Sequence, residues 1–415
     1  MRCLTCFALA GLIAACSSKD EAPAVGIVPT LDAASPSDTQ TPGQDTPGQD
    51  TPVPPTPDID ATAKDEVAFQ AALALWDQKD YPGALAAFQA FLTDFPGSLR
   101  ADNARYLVAR CHYELKAWPA AQAAFEAFLK DDAASPLAPD ALYFLGRTLF
   151  EVSSFPDSKA RFDAFIAAYP DHVYVDNAHF WDGRCAFELG DLATARGHFA
   201  AVIAVPASTV RDGALCWAGR TEYADKAFAK AEALLQQLFG DYPGSIYEDN
   251  GRFYMGMVRY DMADYGEART RFAYVLDHFA ESTYRDNAAY FLARCEYKLT
   301  DFAKAAADFK AFTAAYPDSA YLDDAMYYGG RSHYELAKAQ KSAAEYGNAV
   351  AAFAALVAAF PTSVYVDNAY YYTVLADVAL GDCAKAQAAE KALQAAMPAS
   401  PYVQKCKDWL ASHGC

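Results

Sequence analysis

Asn103, Tyr106, Arg110 and Tyr113 stand three, four and three residues apart, and the same run returns along most of the chain. The first place is filled by Asn103, Asp140, Asn177, Asn250, Asn287, Asp324 and Asn368. The second holds Tyr106, Tyr143, Phe180, Phe253, Tyr290, Tyr327 and Tyr371. Arginine takes the third as Arg110, Arg147, Arg184, Arg220, Arg294 and Arg331. An aromatic closes the run as Tyr113, Phe150, Phe187, Tyr223, Tyr260, Tyr297 and Tyr334. On a helix those steps place all four on one face. An Arg fork matches a carboxylate, and Tyr offers a flat surface with a polar tip. Such a stripe suits gripping an extended acidic or carboxylate-bearing peptide. It also suits joining successive units, each Arg reaching the Asp/Asn pair of the next (Asp102-Asn103, Asp176-Asn177, Asp286-Asn287). Regularity across units favours the joining role, and the two are compatible where some units stay open.

No catalytic constellation accompanies the stripe. His112, His172, His179 and His198 lack a metal-ligand spacing such as two His four apart beside a Glu. His172 and His179, seven apart, fall on a loop and on the helix that follows. There is no Gly-rich phosphate loop and no nucleophile elbow. Neither catalytic residues nor a metal, cofactor or small-molecule substrate is expected, and the chain reads as a non-enzyme.

The chain has 415 residues, 53% hydrophobic, with 26 Phe, 27 Tyr and a formal net charge of -19. Nucleic acid is excluded as a partner, because phosphate backbones call for a cationic surface. The same charge opposes binding to anionic headgroups except through a covalent anchor. After the N-terminus no apolar stretch reaches the roughly 18 to 20 residues that a bilayer demands.

Residues 1–15 read as a signal peptide: Arg2 supplies the positive start and Leu4 to Ala15 a short apolar core. The stretch Leu12-Ile13-Ala14-Ala15-Cys16-Ser17-Ser18 resembles a bacterial lipobox. That resemblance implies diacylglycerol on the Cys16 sulfur, cleavage before Cys16 and acylation of the new amine. Two or three acyl chains anchor firmly where one is marginal. Ser17 resembles the residue that sends enterobacterial lipoproteins to the outer membrane, so an anchor there, facing the periplasm or the cell surface, is expected. Residues 16–62 form a tether: Thr41-Pro42-Gly43-Gln44-Asp45 is followed by the near copy Thr46-Pro47-Gly48-Gln49-Asp50 and a Pro-rich run. Pro, Gly, Thr and Asp without aromatics do not repay the entropy of ordering, so a disordered spacer is expected.

The elements that must position the stripe follow from a repeat. An aromatic or apolar residue followed by Pro, with a small or polar residue two places on, returns as Phe95-Pro96-Gly97-Ser98, Tyr242-Pro243-Gly244-Ser245 and Tyr316-Pro317-Asp318-Ser319. The nine anchors Pro96, Ala133, Pro170, Pro206, Pro243, Ala280, Pro317, Pro361 and Pro398 are separated by 37, 37, 36, 37, 37, 37, 44 and 37 residues. Each unit reads as two helices. The stripe lies on the first, and the second carries apolar residues three and four apart, as in Ala84, Phe88, Phe91 and Leu92. Pro then closes it.

Units so built resemble tetratricopeptide repeats over about residues 63–398. The family's small residue midway along the first helix is Ala109, Gly146, Gly183, Gly219, Gly256, Ala293 or Gly330. Its turn aromatic is Tyr81, Trp118, Phe155, Phe228, Tyr265, Phe302 or Tyr346. Its crossing Ala and following Phe recur as Ala84 with Phe88, Ala121 with Phe125, Ala268 with Phe272 and Ala305 with Phe309. The resemblance implies an all-α, right-handed superhelical solenoid of about nine helical hairpins, with the stripe lining its concave groove. Long units on a lipoprotein also resemble the Tol–Pal-associated periplasmic repeat protein and the repeat lipoprotein of the outer-membrane barrel-assembly machine. The 44-residue unit carries seven extra residues around Lys338 to Ala344, expected to lengthen its first helix by about two turns. Residues 399–415 read as an amphipathic capping helix, as a solenoid end requires.

Cys111, Cys185 and Cys295 share one place, directly after the stripe Arg, and read as small buried residues. Cys383, Cys406 and Cys415 cluster near the C-terminus of a chain with an export signal, where oxidation is permitted. Cys383 begins a second helix, and an antiparallel cap would return Cys415 beside it; a bridge needs Cα atoms within roughly 7 Å. Cys383–Cys415 is the expected pair, with Cys406–Cys415 or three free thiols as alternatives. The function these readings support is a membrane-anchored scaffold that takes envelope proteins or peptides into its groove. The alternative is a structural spacer without a groove ligand.

Overall fold

The computed structural model describes residues 63–415, so Cys16, the signal peptide and the tether lie outside the described residues. Among the described residues are nineteen α-helices and no strand. Eighteen pair into nine hairpins: α1 (Lys64–Asp77) with α2 (Tyr81–Asp94), α3 (Ala101–Glu114) with α4 (Trp118–Asp131), and α5 (Ala138–Glu151) with α6 (Phe155–Ala168). Then come α7 (Val175–Glu188) with α8 (Leu192–Ile203), α9 (Arg211–Ala224) with α10 (Phe228–Asp241), and α11 (Glu248–Asp261) with α12 (Tyr265–His278). The last three are α13 (Arg285–Lys298) with α14 (Phe302–Ala315), α15 (Leu322–Gln340) with α16 (Ala343–Ala359), and α17 (Val366–Ala379) with α18 (Cys383–Ala396). Helix α19 (Pro401–Ser412) packs on α17 and α18 and ends the stack.

Local chemistry sets each boundary. Second helices start from an Asp cap in several units: Asp80, Asp191, Asp264, Asp301 and Asp382 each accept a hydrogen bond from the backbone N–H three residues on. Pro stands in the first turn of α2, α4 and α6, where its missing N–H costs nothing. The turn inside each hairpin places one residue at positive φ, Gly in two units but Lys79, Lys116, Ser153, Lys226, Ala263, Thr300 and Lys341 in the others.

Close helix crossing explains the recurring small residue. A Cβ added at Gly146 would stand 2.8 Å from the Phe162 ring, inside van der Waals contact. Phe162 is fully buried there, as are Phe88, Phe125, Phe199, Phe272 and Phe353 at the same place. The seven extra residues of the long unit divide differently from the expectation. Helix α15 runs 19 residues and α16 runs 17, against 14 in most other helices, so both arms of that hairpin lengthen. The reason is that Ser342 caps α16, accepting from the Glu345 N–H, which moves the turn to the middle of the insertion.

The candidate interaction face

Each first helix presents its stripe toward the neighbouring unit, and there the arginines meet rings. The Arg110 guanidinium carbon lies 3.7 Å from the centre of the Phe144 ring, and Arg147 lies 3.8 Å from Trp181. Arg184 lies 4.3 Å from Trp217, Arg220 4.7 Å from Tyr254, Arg294 3.8 Å from Tyr328 and Arg331 4.0 Å from Tyr372. In every case the ring belongs to the following unit and stands one residue after the stripe's second place, which is aromatic in all but one unit, where Cys216 precedes Trp217. The same ring is met edge-on by the closing aromatic of the run: Phe150 on Trp181 at 4.8 Å, Tyr297 on Tyr328 at 5.4 Å, Tyr334 on Tyr372 at 5.1 Å. Within the helix the guanidinium donates to the Tyr four residues back, Arg110 to Tyr106 (3.2 Å), Arg147 to Tyr143 (3.4 Å), Arg294 to Tyr290 (2.7 Å) and Arg331 to Tyr327 (3.0 Å).

Burial follows from these contacts. Arg110, Arg147, Arg184 and Arg220 are buried, with Arg147 only 1% exposed, while Arg294 and Arg331 are half-buried. Tyr106, Tyr143, Tyr290, Tyr327 and Asn103 are buried; Asn177 and Asn287 are half-buried. A stacked guanidinium is weakly hydrated and gives attraction of about 2 kcal/mol where water is excluded, which explains how a core tolerates this many cations.

At six junctions the Asp one place before the stripe's first position has its own partner in the next unit, a serine two residues after the anchor. Ser98 donates to Asp65 (2.7 Å), Ser135 to Asp102 (2.7 Å), Ser245 to Asp212 (2.6 Å), Ser319 to Asp286 (2.8 Å), Ser363 to Asp323 (2.7 Å) and Ser400 to Asp367 (2.9 Å). Junctions are therefore made by ring stacking and by a serine clip, neither of which the stripe alone announces. His172 takes the serine's place in one unit and sets its Nε2 3.3 Å from Asp140 Oδ1. Ser208, after the 36-residue unit, finds no hydrogen-bond partner for its Oγ.

Off the stripe, between α6, α7 and α8, lies a cluster that spacing along the chain does not reveal. Asp182 is fully buried. Lys159 Nζ stands 3.2 Å from its Oδ1 and 2.9 Å from Asp163 Oδ2, and His198 Nε2 stands 3.5 Å from its Oδ2. His179 Nδ1 and His198 Nδ1 are 3.0 Å apart. Burial pushes the Asp182 carboxyl up to about 7, with Asp163 adding to it. Burial also draws His198 down to about 4, helped by His179. The signal available in the sequence was Asp182 itself, since Val108, Leu145, Ala218, Met255 and Leu292 hold that place in other units.

At the C-terminus the structure joins Cys383 to Cys415, with Cα atoms 5.1 Å apart, while Cys406 is free and buried. Cys111, Cys185 and Cys295 are buried thiols that burial pushes up to about 12. Among the described residues no helix is long and apolar enough to cross a membrane.

A family model described as YfiO, outer membrane lipoprotein, matches residues 61–179 and 253–372, more than half of the chain. No curated protein matches. Solved structures similar to this chain include a tetratricopeptide repeat protein of Parabacteroides merdae, 15% identical, covering 64% of this chain and 98% of that one with a TM-score of 0.49. The C-terminal part of a TPR repeat-containing protein of Cytophaga hutchinsonii is 18% identical over 62% of this chain and 98% of that one, TM-score 0.47. PilF of Pseudomonas aeruginosa is 14% identical over 65% of this chain and 97% of its own, TM-score 0.40.

Proposed function

The chain belongs to the YfiO family of outer membrane lipoproteins, and from that premise we propose that it is a lipid-anchored scaffold whose stripe face takes an extended segment of a partner protein. Membership places it in the cell envelope, and its helical repeats suit a protein-interaction scaffold. The finer reading is that Cys16 carries the acyl chains at the outer membrane, residues 16–62 hold the solenoid off the bilayer, and the stripe receives envelope proteins or peptides. Neither nucleic acid nor a small-molecule substrate has a place in this role, and the work is holding rather than catalysis.

One observation carries the groove reading. Asn177, Asn287, Arg294 and Arg331 remain half-buried on the face that the other stripe residues share. They are amide and guanidinium groups able to meet backbone and carboxylate on an extended chain. A second reading, a rigid spacer without a groove ligand, is favoured by the burial of Arg110, Arg147, Arg184 and Arg220 against rings.

A pull-down from detergent-solubilised envelopes separates them. Proteins captured by the wild type and lost with Arg294→Gln plus Arg331→Gln, at matched thermal stability, support the groove. Capture that is unchanged by this pair of substitutions rejects it and leaves the spacer.

A further inference from the structure

We propose that His198, Asp182 and Asp163 form a binding site for one divalent first-row transition-metal ion of the zinc class, with His179 orienting His198. One ligand atom from each of the three lies within 4.8 Å of the others, drawn from α6, α7 and α8. Such a set is an imidazole and two carboxylates, a donor mix that zinc and its neighbours accept. The buried member is the telling one. Neither oxygen of Asp182 accepts a hydrogen bond, and its neighbours Lys159 and His198 are ion-pair contacts at 3.2 and 3.5 Å. Its only cation is the Lys159 ammonium, which it shares with Asp163, so a buried carboxylate with unfilled lone pairs is left that a divalent ion would satisfy more fully.

His179 supplies the outer support that metal-bound imidazoles ordinarily have. When the proton shared across the 3.0 Å Nδ1–Nδ1 contact sits on His198, the His198 Nε2 lone pair points at the carboxylates, ready for a metal. Lys159 holds one positive charge between Asp163 and Asp182, on a side chain 22% exposed. Its ammonium can turn to water along its own stem when a divalent ion arrives. Two of its three ligands, Asp182 and His198, fall in the stretch between residues 179 and 253 where the family match is interrupted, and Asp163 lies just inside the matched part.

The test is titration of the full chain, in detergent and freed of metal by a chelator, with zinc chloride alone, then with magnesium or calcium chloride. The expected result is one equivalent of zinc per chain with no comparable magnesium or calcium binding, since an imidazole donor disfavours the hard cations. His198→Leu and Asp182→Leu use residues that other units carry at those places, Leu234 and Leu145; each should remove that equivalent. His179→Ala should weaken binding roughly 10- to 100-fold, the usual effect of losing an outer-shell partner. Lys159→Leu should bind at least as tightly as the wild type. Absence of a zinc equivalent in the wild type overturns the proposal. So does retention of that equivalent in His198→Leu, or loss of zinc in Lys159→Leu with an unchanged circular dichroism spectrum. Should either leucine variant fail to fold, the opposite responses of His179→Ala and Lys159→Leu decide the question.

Discussion

The Arg147 guanidinium carbon lies 3.8 Å from the Trp181 ring centre, so a cation of one repeat is sealed by an aromatic of the next. This pairing returns at six junctions and makes the stripe a mechanical coupling between units. Repeat arrays derive their stability from such nearest-neighbour interfaces.

Arg147→Ala should cost about 2–3 kcal/mol in urea unfolding, through the lost stacking and the rings it leaves exposed. Arg147→Lys should recover only part of this, because an ammonium neither stacks nor forks. Lys385, which pairs with Asp382 and is 72% exposed, serves as the control, with Lys385→Ala leaving stability close to that of the wild type. Equal losses at the two positions would remove the coupling role.

Deleting one whole period, residues 244–280, should leave a folded, shorter solenoid. Arg220 would then face Phe291, which stands at the same place in its unit as Tyr254. Deleting half a period should instead expose the buried Phe and Leu faces and cause aggregation. Gel filtration and circular dichroism read the difference, and identical behaviour would show that the register is misplaced.

The Cys383–Cys415 bridge closes a loop with a sequence separation of 32. On the chain-entropy account it contributes about 3–4 kcal/mol, concentrated on α19, which has neighbours on one side only. Non-reducing peptide mapping of protein from an oxidising compartment should recover that pair. Cys383→Ser should raise hydrogen exchange in α19 and leave α3 to α14 unchanged. A linked peptide containing Cys406 would refute the assignment.

Arg100 donates to both oxygens of Glu66, at 3.0 and 3.2 Å, and ties the first hairpin to the second. That guanidinium holds the Glu66 carboxyl below its ordinary value of 4.5. A carboxylate depressed in the folded state contributes stability that is complete above its unfolded value and is lost as pH falls through the folded one. Hydrogen exchange in α1 and α2, corrected for intrinsic rates, should therefore rise below about pH 4.5 before the middle units loosen. In Glu66→Gln the early loosening should already be present at neutral pH, and no acid-induced step should remain. A wild type whose units all open together would contradict this.

Residue order alone determined the repeat and much of its interior. Period, closing Pro and the small residue opposite Phe are local rules, written into each unit and legible from a single chain. The face on which Asn103, Tyr106, Arg110 and Tyr113 lie also follows from helical spacing. What that face meets does not, because it depends on how one hairpin winds against the next. Only the tertiary structure put Trp181 under Arg147 and Ser319 on Asp286, and so decided that most stripe arginines are buried. Likewise Asp163, Asp182 and His198 come from three helices, and no spacing along the chain brings them together. Spacing orders side chains within an element, whereas burial and partnership are set by the packing between elements.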